Sequence, residues 1–293
     1  MSHILAVGIA SLDVINLVAS YPGEDSEVRA VAHRVARGGN AANALSVLVQ
    51  AGHRCDFAGV LALEPDGRRI EEDLVYRGIG TNYCRRVADG KAPTSYITLS
   101  RQTGSRTIIH YRDLPEYDYL SFDEIPVQEF DWLHFEGRNV AEVERMLRRS
   151  VALRVDQPVS LEVEKEREGI EGLLPLADII FFSRPFARGR GYHGPAEFLR
   201  AMRVLAPSAI LVCTWGELGA CAVDHEDRFM ESPAFPPQEI EDTVGAGDTF
   251  IAGFVDAMAS GRTIQEALAA GCRLAGRKVG QRGFDGLFDQ RGG

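Results

Sequence analysis

Short runs of consecutive apolar residues recur along the chain, at 4–9, 57–61, 132–136, 159–163, 178–182 and 209–214. Most are separated by longer stretches, 40–50, 67–76, 140–153 and 195–205, in which apolar side chains return every three or four positions. The short runs suit strands buried on both faces, and the longer rhythm suits amphipathic helices. Strand and helix in alternation predict an α/β fold with a mostly parallel sheet covered on both sides. Near the end, Thr263 and Glu266 have the spacing of a capping box, opening a helix over 264–279 that Gly280 closes. Two regions break the rhythm. Residues 27–37 and 95–111 are polar and partly alternating, the second interrupted by the turn-like Gln102-Thr103-Gly104-Ser105. They predict a small antiparallel β flap, split in sequence but contiguous in space, serving as a lid over a cleft or as a dimer edge.

Composition narrows the class of protein. The 293 residues could make one large α/β domain or two smaller ones. No linker, repeat or low-complexity tract divides them, which favours a single domain over 1–293 with a discontinuous lid from about 13–37 and 93–115. A formal charge of -10 argues against nucleic acid or an anionic membrane as the main partner, while leaving room for a local pocket that takes an anionic nucleotide. The apolar N-terminal stretch has no basic flank and carries Asp13, so it reads as a strand and turn rather than a leader, and no run is long enough to span a bilayer. Five cysteines, odd in number and without C-x-x-C spacing, fit a reducing cytoplasm. The seven histidines form no metal-ligand spacing either.

The most informative segment is Asp242-Thr243-Val244-Gly245-Ala246-Gly247-Asp248, which directly precedes an apolar stretch with helical spacing at Phe250, Ile251, Phe254, Val255 and Met258. A turn built from Gly245, Ala246 and Gly247 lets a ligand approach the backbone, and the first turn of a helix presents unpaired N–H groups and positive dipole charge. That is an anion hole suited to phosphate. A carboxylate there repels phosphate, so Asp248 makes sense as the base that takes a proton from an attacking hydroxyl. An acidic residue in a first helical turn with no chemistry fits the same letters. A second turn, Arg37-Gly38-Gly39-Asn40-Ala41-Ala42-Asn43, opens its own helix. Asn40 and Asn43 lie one turn apart, as amides for sugar hydroxyls would, although Asn40 also fits a plain N-cap. Asp13 follows the first strand, at the end of the sheet where ligands of open α/β folds bind. Gly189 to Gly194 satisfies G-x-G-x-x-G but stands too far from the preceding strand to act as a dinucleotide fingerprint, and no P-loop motif occurs. His134 reads as a core histidine. Glu162 and Glu164 share a strand face, either to hold Mg²⁺ through water or as a solvated edge.

With both glycine-rich turns in place, the chain resembles the ribokinase-like (PfkB-type) carbohydrate kinase family, and within it the ketohexokinase branch. More specific matches are Tyr21 to Glu27, Gly104-Ser105-Arg106-Thr107-Ile108, Phe135-Glu136-Gly137-Arg138-Asn139, Glu162-Val163-Glu164-Lys165, Phe235-Pro236-Pro237 and Gly283-Phe284-Asp285-Gly286. The resemblance implies that Asp248 is the catalytic base and that Gly245, Ala246 and Gly247 surround the transferred phosphoryl group. It assigns Asp13, Gly39, Asn40 and Asn43 to the sugar and Arg106, on the flap, to the nucleotide phosphates. Gly216-Glu217-Leu218-Gly219 becomes the nucleotide loop, with Pro236, Pro237 and Cys272 near the adenine. Asp242 would lie beside a monovalent cation such as K⁺. ATP and Mg²⁺ are the implied cofactors. The family's Asn-x-x-Glu, which helps organise the metal, is replaced by Ser183-Arg184-Pro185-Phe186, which points to Mg²⁺ arriving mainly with ATP. The resemblance also implies a homodimer in which the flaps clasp, bringing Asp25 near the partner's sugar. The activity it implies is transfer of the ATP γ-phosphoryl group to a ketohexose, forming fructose 1-phosphate from fructose. The alternatives are a family kinase for a sugar acid, another sugar or a nucleoside, and a sensing module without catalysis. An intact Asp248 disfavours the sensor.

Overall fold

A computed structural model describes residues 1–288. The chain begins with strands β1 (His3–Val7), β2 (Ser11–Val18) and β3 (Ala32–Gly38), followed by helix α1 (Asn40–Leu48), β4 (Arg54–Ala58), β5 (Val60–Ala62) and α2 (Pro65–Tyr76). Next come β6 (Ile79–Gly80), β7 (Arg85–Val87), β8 (Thr94–Ser100), β9 (Arg106–Tyr111), α3 (Tyr119–Asp123), β10 (Trp132–Glu136), α4 (Val140–Leu153), β11 (Val159–Val163) and β12 (Ile179–Phe182). The last part holds α5 (Arg184–Gly189), α6 (Pro195–Arg203), β13 (Ile210–Thr214), β14 (Ala220–Val223), β15 (Phe229–Ser232), α7 (Ala246–Ala259) and α8 (Ile264–Val279).

Nine strands form the main sheet in the order β15-β14-β13-β12-β11-β10-β1-β4-β6. It is parallel from β13 to β6, and β14 alone runs against the rest, pairing antiparallel with both β13 and β15. The parallel strands are buried almost throughout, which is why they read as unbroken apolar runs. His134 on β10 is a core residue, its Nδ1 against Ser160 Oγ at 2.9 Å. From β1 the order grows one way through β4 and β6 and the other way through β10, so the direction of winding reverses between β1 and β10. Such a reversal opens a crevice at the carboxyl ends of the strands.

The lid is a separate four-stranded sheet, β3-β2-β8-β9. Its outer pairs are antiparallel and its central pair, β2 with β8, is parallel. β2 belongs to the lid although it is more apolar and more buried than the lid edge strand β9. The run expected over 57–61 is two strands, β4 and β5, broken at Gly59, where a Cβ would lie 2.7 Å from the Gly8 carbonyl. The capping box forms as the spacing requires: Thr263 Oγ1 accepts from Glu266 N while the Glu266 carboxylate accepts from Thr263 N at 2.9 Å. The G-x-G-x-x-G stretch falls at the end of α5 and in the loop before α6, lining neither large cavity.

Candidate active site

The crevice at the β1/β10 reversal is a cavity of about 630 Å³. Asp13, Gly39, Asn40, Asn43, Arg106 and the whole 245–248 turn line it. Sequence neighbours could not announce this grouping, which comes from the ends of several strands meeting the first turns of α1 and α7. Gly245 caps α7 with φ 79°, in the left-handed region that an L side chain rarely adopts. The first intrahelical bond is Thr249 N to Gly245 O at 2.9 Å, so the amides of Gly247 and Asp248 lie ahead of it, while that of Ala246 makes a long bond of 3.4 Å to Thr243 O. A Cβ on Gly247 would meet no protein atom, so that face of the turn opens into the cavity. The arrangement is an anion cradle on a helix N-terminus.

Asp248 is buried at the base of the cradle. Burial, with Glu164, Glu136 and Asp13 nearby, pushes its carboxyl up to about 7, against the opposing pull of one hydrogen bond from Asn43. That bond, Asn43 Nδ2 to Asp248 Oδ2, is 2.7 Å. Asn43 is itself held, because its Oδ1 accepts from Arg37 Nη1 at 2.8 Å. The Arg37 guanidinium is buried and directs further donors to Asp73 Oδ2 at 2.7 Å and Ser46 Oγ at 2.6 Å. A carboxyl that titrates near neutrality and is oriented by a fixed amide meets the chemical requirements of a general base.

Asn40 is not an N-cap. Gly39 holds that position, at φ 100°, and the Asn40 amide donates to Glu162 Oε1 at 2.9 Å and Glu164 Oε2 at 3.3 Å. Nor is Glu162 on a solvated edge. It is buried beside Glu136 in the β10/β11 register, burial and the neighbouring carboxylates raise its pKa well above the ordinary range, and its Oε2 has no hydrogen-bond partner. Glu136 is structural, since its Oε1 accepts from Ile9 N at 3.0 Å and Ala41 N at 2.8 Å, tying the end of β1 to the start of α1. Asp13 is also raised by burial, and it packs so closely on Gly38 that a Cβ there would sit 2.3 Å from its Oδ2. Among the described residues no group of three or more His, Cys, Asp or Glu is arranged to hold a metal ion. The unpartnered Glu162 oxygen with Glu164 beside it does suit a Mg²⁺ that keeps its waters and is carried by phosphates.

A second cavity of about 740 Å³ opens on the far side of the cradle. Gly216, Glu217, Gly219, Pro236, Pro237 and Cys272 line it, and it shares Arg106, Arg184, Thr243, Ala246 and Gly247 with the first. The glycine-rich turn therefore lies on the seam between two chambers. Arg106 spans that seam from the lid, its Nη1 donating to Thr243 Oγ1 at 3.0 Å. Leu218 is exposed and lines neither chamber. Asp25 stands on the exposed connection between β2 and β3 with φ 57°, outside the cavity of its own chain. Asp242 has both carboxylate oxygens engaged: Oδ1 accepts from Val244 N at 3.0 Å, and Oδ2 meets Arg34 Nη2 at 2.5 Å and Lys278 Nζ at 3.1 Å. The residues implied by resemblance omitted Arg37, Arg138, Lys165, Arg167 and Arg184, the last four of which line the first chamber and bring positive charge to an acidic chain. Arg184, within the Ser183-Arg184-Pro185-Phe186 stretch, pairs with Glu217 Oε2 at 2.7 Å and so ties that stretch to the 216–219 loop.

No helix among the described residues is long and apolar enough to cross a membrane. The chain is 38% identical to mouse ketohexokinase over 293 aligned residues, covering 97% of this chain and 98% of the relative. Its fold is that of ribokinase from Giardia lamblia, with a TM-score of 0.86 at 16% identity over 98% of this chain and 96% of the other. Arabidopsis thaliana ribokinase, solved with ribose and ATP, superposes with a TM-score of 0.80 at 20% identity over 96% and 94% of the two chains. The sequence matches the pfkB family carbohydrate kinases over residues 1–289. With that match along its length, the chain belongs to the pfkB family of carbohydrate kinases and is an ATP-dependent sugar kinase.

Proposed function

We propose that the enzyme transfers the γ-phosphoryl group of ATP to the primary C1 hydroxyl of a ketohexose, converting fructose to fructose 1-phosphate. The observation that carries this reading is the position of Asp248, a buried carboxyl with its pKa raised to about 7, on the sugar side of an anion cradle. The sugar lies in the first chamber against Asp13, Gly39, Asn40 and Asn43, and the nucleotide in the second, between the 216–219 loop and Pro236, Pro237 and Cys272. Asp248 takes the hydroxyl proton as the oxygen attacks in line, and the amides of the 245–247 turn with Arg106 hold the charge on the transferred group. Mg²⁺, when bound with ATP, neutralises phosphate charge, and Glu162 and Glu164 would hold it through water. Positioning and fixed electrostatics supply most of the acceleration. The similarity to mouse ketohexokinase favours a ketohexose over other acceptors.

The lid supports a homodimer. Every residue of its edge strand β9 is exposed, including Ile108, Ile109 and Tyr111, and Tyr96 on β8 is exposed as well. Apolar side chains on an uncovered sheet call for a cover, and a two-fold clasp of lids provides it while carrying Asp25 toward the partner's sugar. A panel of ketohexoses, aldoses, sugar acids and nucleosides, followed by ADP release and by locating the phosphate on the product, tests the acceptor. Turnover of fructose to the 1-phosphate is expected. Preference for an aldose, a sugar acid or a nucleoside would overturn the reading.

A further inference from the structure

Lys278 is the one lysine among the largest fully buried side chains, with none of its surface exposed. It lies in the last turn of α8, and its ammonium reaches past the helix end into a cage of oxygens. Nζ donates to the main-chain carbonyl of Asp242 at 3.0 Å and to that of Gln281 at 3.4 Å, and it stands 3.1 Å from Asp242 Oδ2. The Phe284 ring covers it, with the centroid 5.5 Å away. Two carbonyls, a carboxylate and an aromatic face make a cation site, and this chain fills it with its own side chain.

We propose that the Lys278 ammonium is a cation built into the phosphoryl cradle, locking the Asp242 to Gly245 turn without an added monovalent ion. The proposal rests on reading that turn as the site of phosphoryl transfer. Asp242 begins the turn, and its amide and that of Glu241 donate to the Val279 carbonyl at 3.2 and 2.9 Å, docking the segment on the end of α8. Phe284 carries the contact onward: a Cβ on Gly245 would lie 2.3 Å from its ring, so the ring sits directly under the left-handed glycine that starts α7. Ammonium, ring and glycine form one packed path from α8 to the cradle. Burial alone would push Asp242 up, but Lys278 and Arg34 outweigh it and keep the carboxylate charged and neutralised, so that it does not repel phosphate. A second cation beside Nζ would face a like charge and a carboxylate already shared with Arg34, which is why the residues do not fit an added K⁺ at Asp242.

The test follows thermal unfolding and calorimetric binding of ADP in potassium, sodium and tetramethylammonium chloride at equal ionic strength. Wild type should give the same Tm and the same ADP Kd in all three. Lys278→Met, close in length but uncharged, should lower Tm by roughly 5–10 °C and weaken ADP binding roughly tenfold, as for a broken buried ion pair. Lys278→Ala leaves space, and potassium or ammonium should restore its Tm saturably while tetramethylammonium does not. A saturable, potassium-specific rise in wild-type Tm or ADP affinity would overturn the proposal. So would ADP binding by Lys278→Met equal to wild type, or a folded Lys278→Ala that no small cation stabilises. If neither variant folds, the wild-type ion series decides alone. None of these measurements requires sugar turnover, so a wrong acceptor leaves the outcome readable.

Discussion

Asn43 donates to Asp248 Oδ2 at 2.7 Å through the same amide group whose oxygen accepts from Arg37 at 2.8 Å. The Asp248 carboxylate is therefore held by an amide that cannot turn over without losing a buried guanidinium partner. One face of α1 thus connects the lid strand that carries Arg37 to the chemistry at α7.

Asp248→Asn keeps the shape and the Asn43 contact but cannot accept a proton. It should bind ATP and sugar while kcat falls at least ~10²-fold. In wild type, kcat should rise with pH through about 7 as Asp248 ionises. Stability runs the opposite way, because a carboxyl raised in the folded state contributes stability below its unfolded pKa that is lost as pH rises through the folded value. The Tm of Asp248→Asn relative to wild type should then be higher at pH 8 than at pH 5. Near-normal turnover by the variant would remove Asp248 from the role of base.

Arg37 lines neither chamber and reaches Asp248 only through Asn43, so in the proposed reaction its role would be positioning. Arg37→Lys keeps a charge for Asp73 but loses the fork that also grips Asn43 and Ser46. Freed to rotate, Asn43 stabilises the Asp248 carboxylate less, and the acid limb of kcat moves to higher pH. A rise of about one unit lowers the ionised fraction roughly tenfold below the limb and leaves the plateau unchanged. A pH–rate profile that superposes on wild type would show that Arg37 only supports the fold.

Arg106 crosses from the lid to Thr243 at the seam of the chambers. Its planar fork can span two phosphate oxygens, which a lysine ammonium cannot. Arg106→Lys is expected to raise the KM for ATP several-fold more than the KM for sugar. Equal effects on both substrates, or no effect on either, would contradict the assignment.

Asp25 is a test of the clasped dimer because it lies outside its own chain's cavity. Sedimentation should give a homodimer, and Asp25→Ala should raise the KM for sugar while leaving the KM for ATP nearly unchanged. A fully active monomer at assay concentration would end the cross-subunit role whatever the variant did.

Local signals were enough for the elements whose cause is local. The buried strands β10 to β13 read directly as apolar runs, the α8 capping box is two residues at a fixed spacing, and both glycine turns announce close backbone approach. Even Lys278 was visible in one sense, since it repeats the helical spacing of Ala267, Gly271 and Leu274 on the buried face of α8. Its partner was not, because nothing near position 278 says that the end of α8 will meet the carbonyl of Asp242. The strand β2 shows the same divide: nothing along it announces that it will pair in parallel with the distant β8 at the centre of the lid. Along the sequence Glu162 pairs only with Glu164, and it is the β10/β11 register that sets Glu136 beside it. Propensity and periodicity are written over a few neighbouring residues, whereas burial, charge pairing and the raised pKa of Asp248 arise from groups that meet only when the sheet closes.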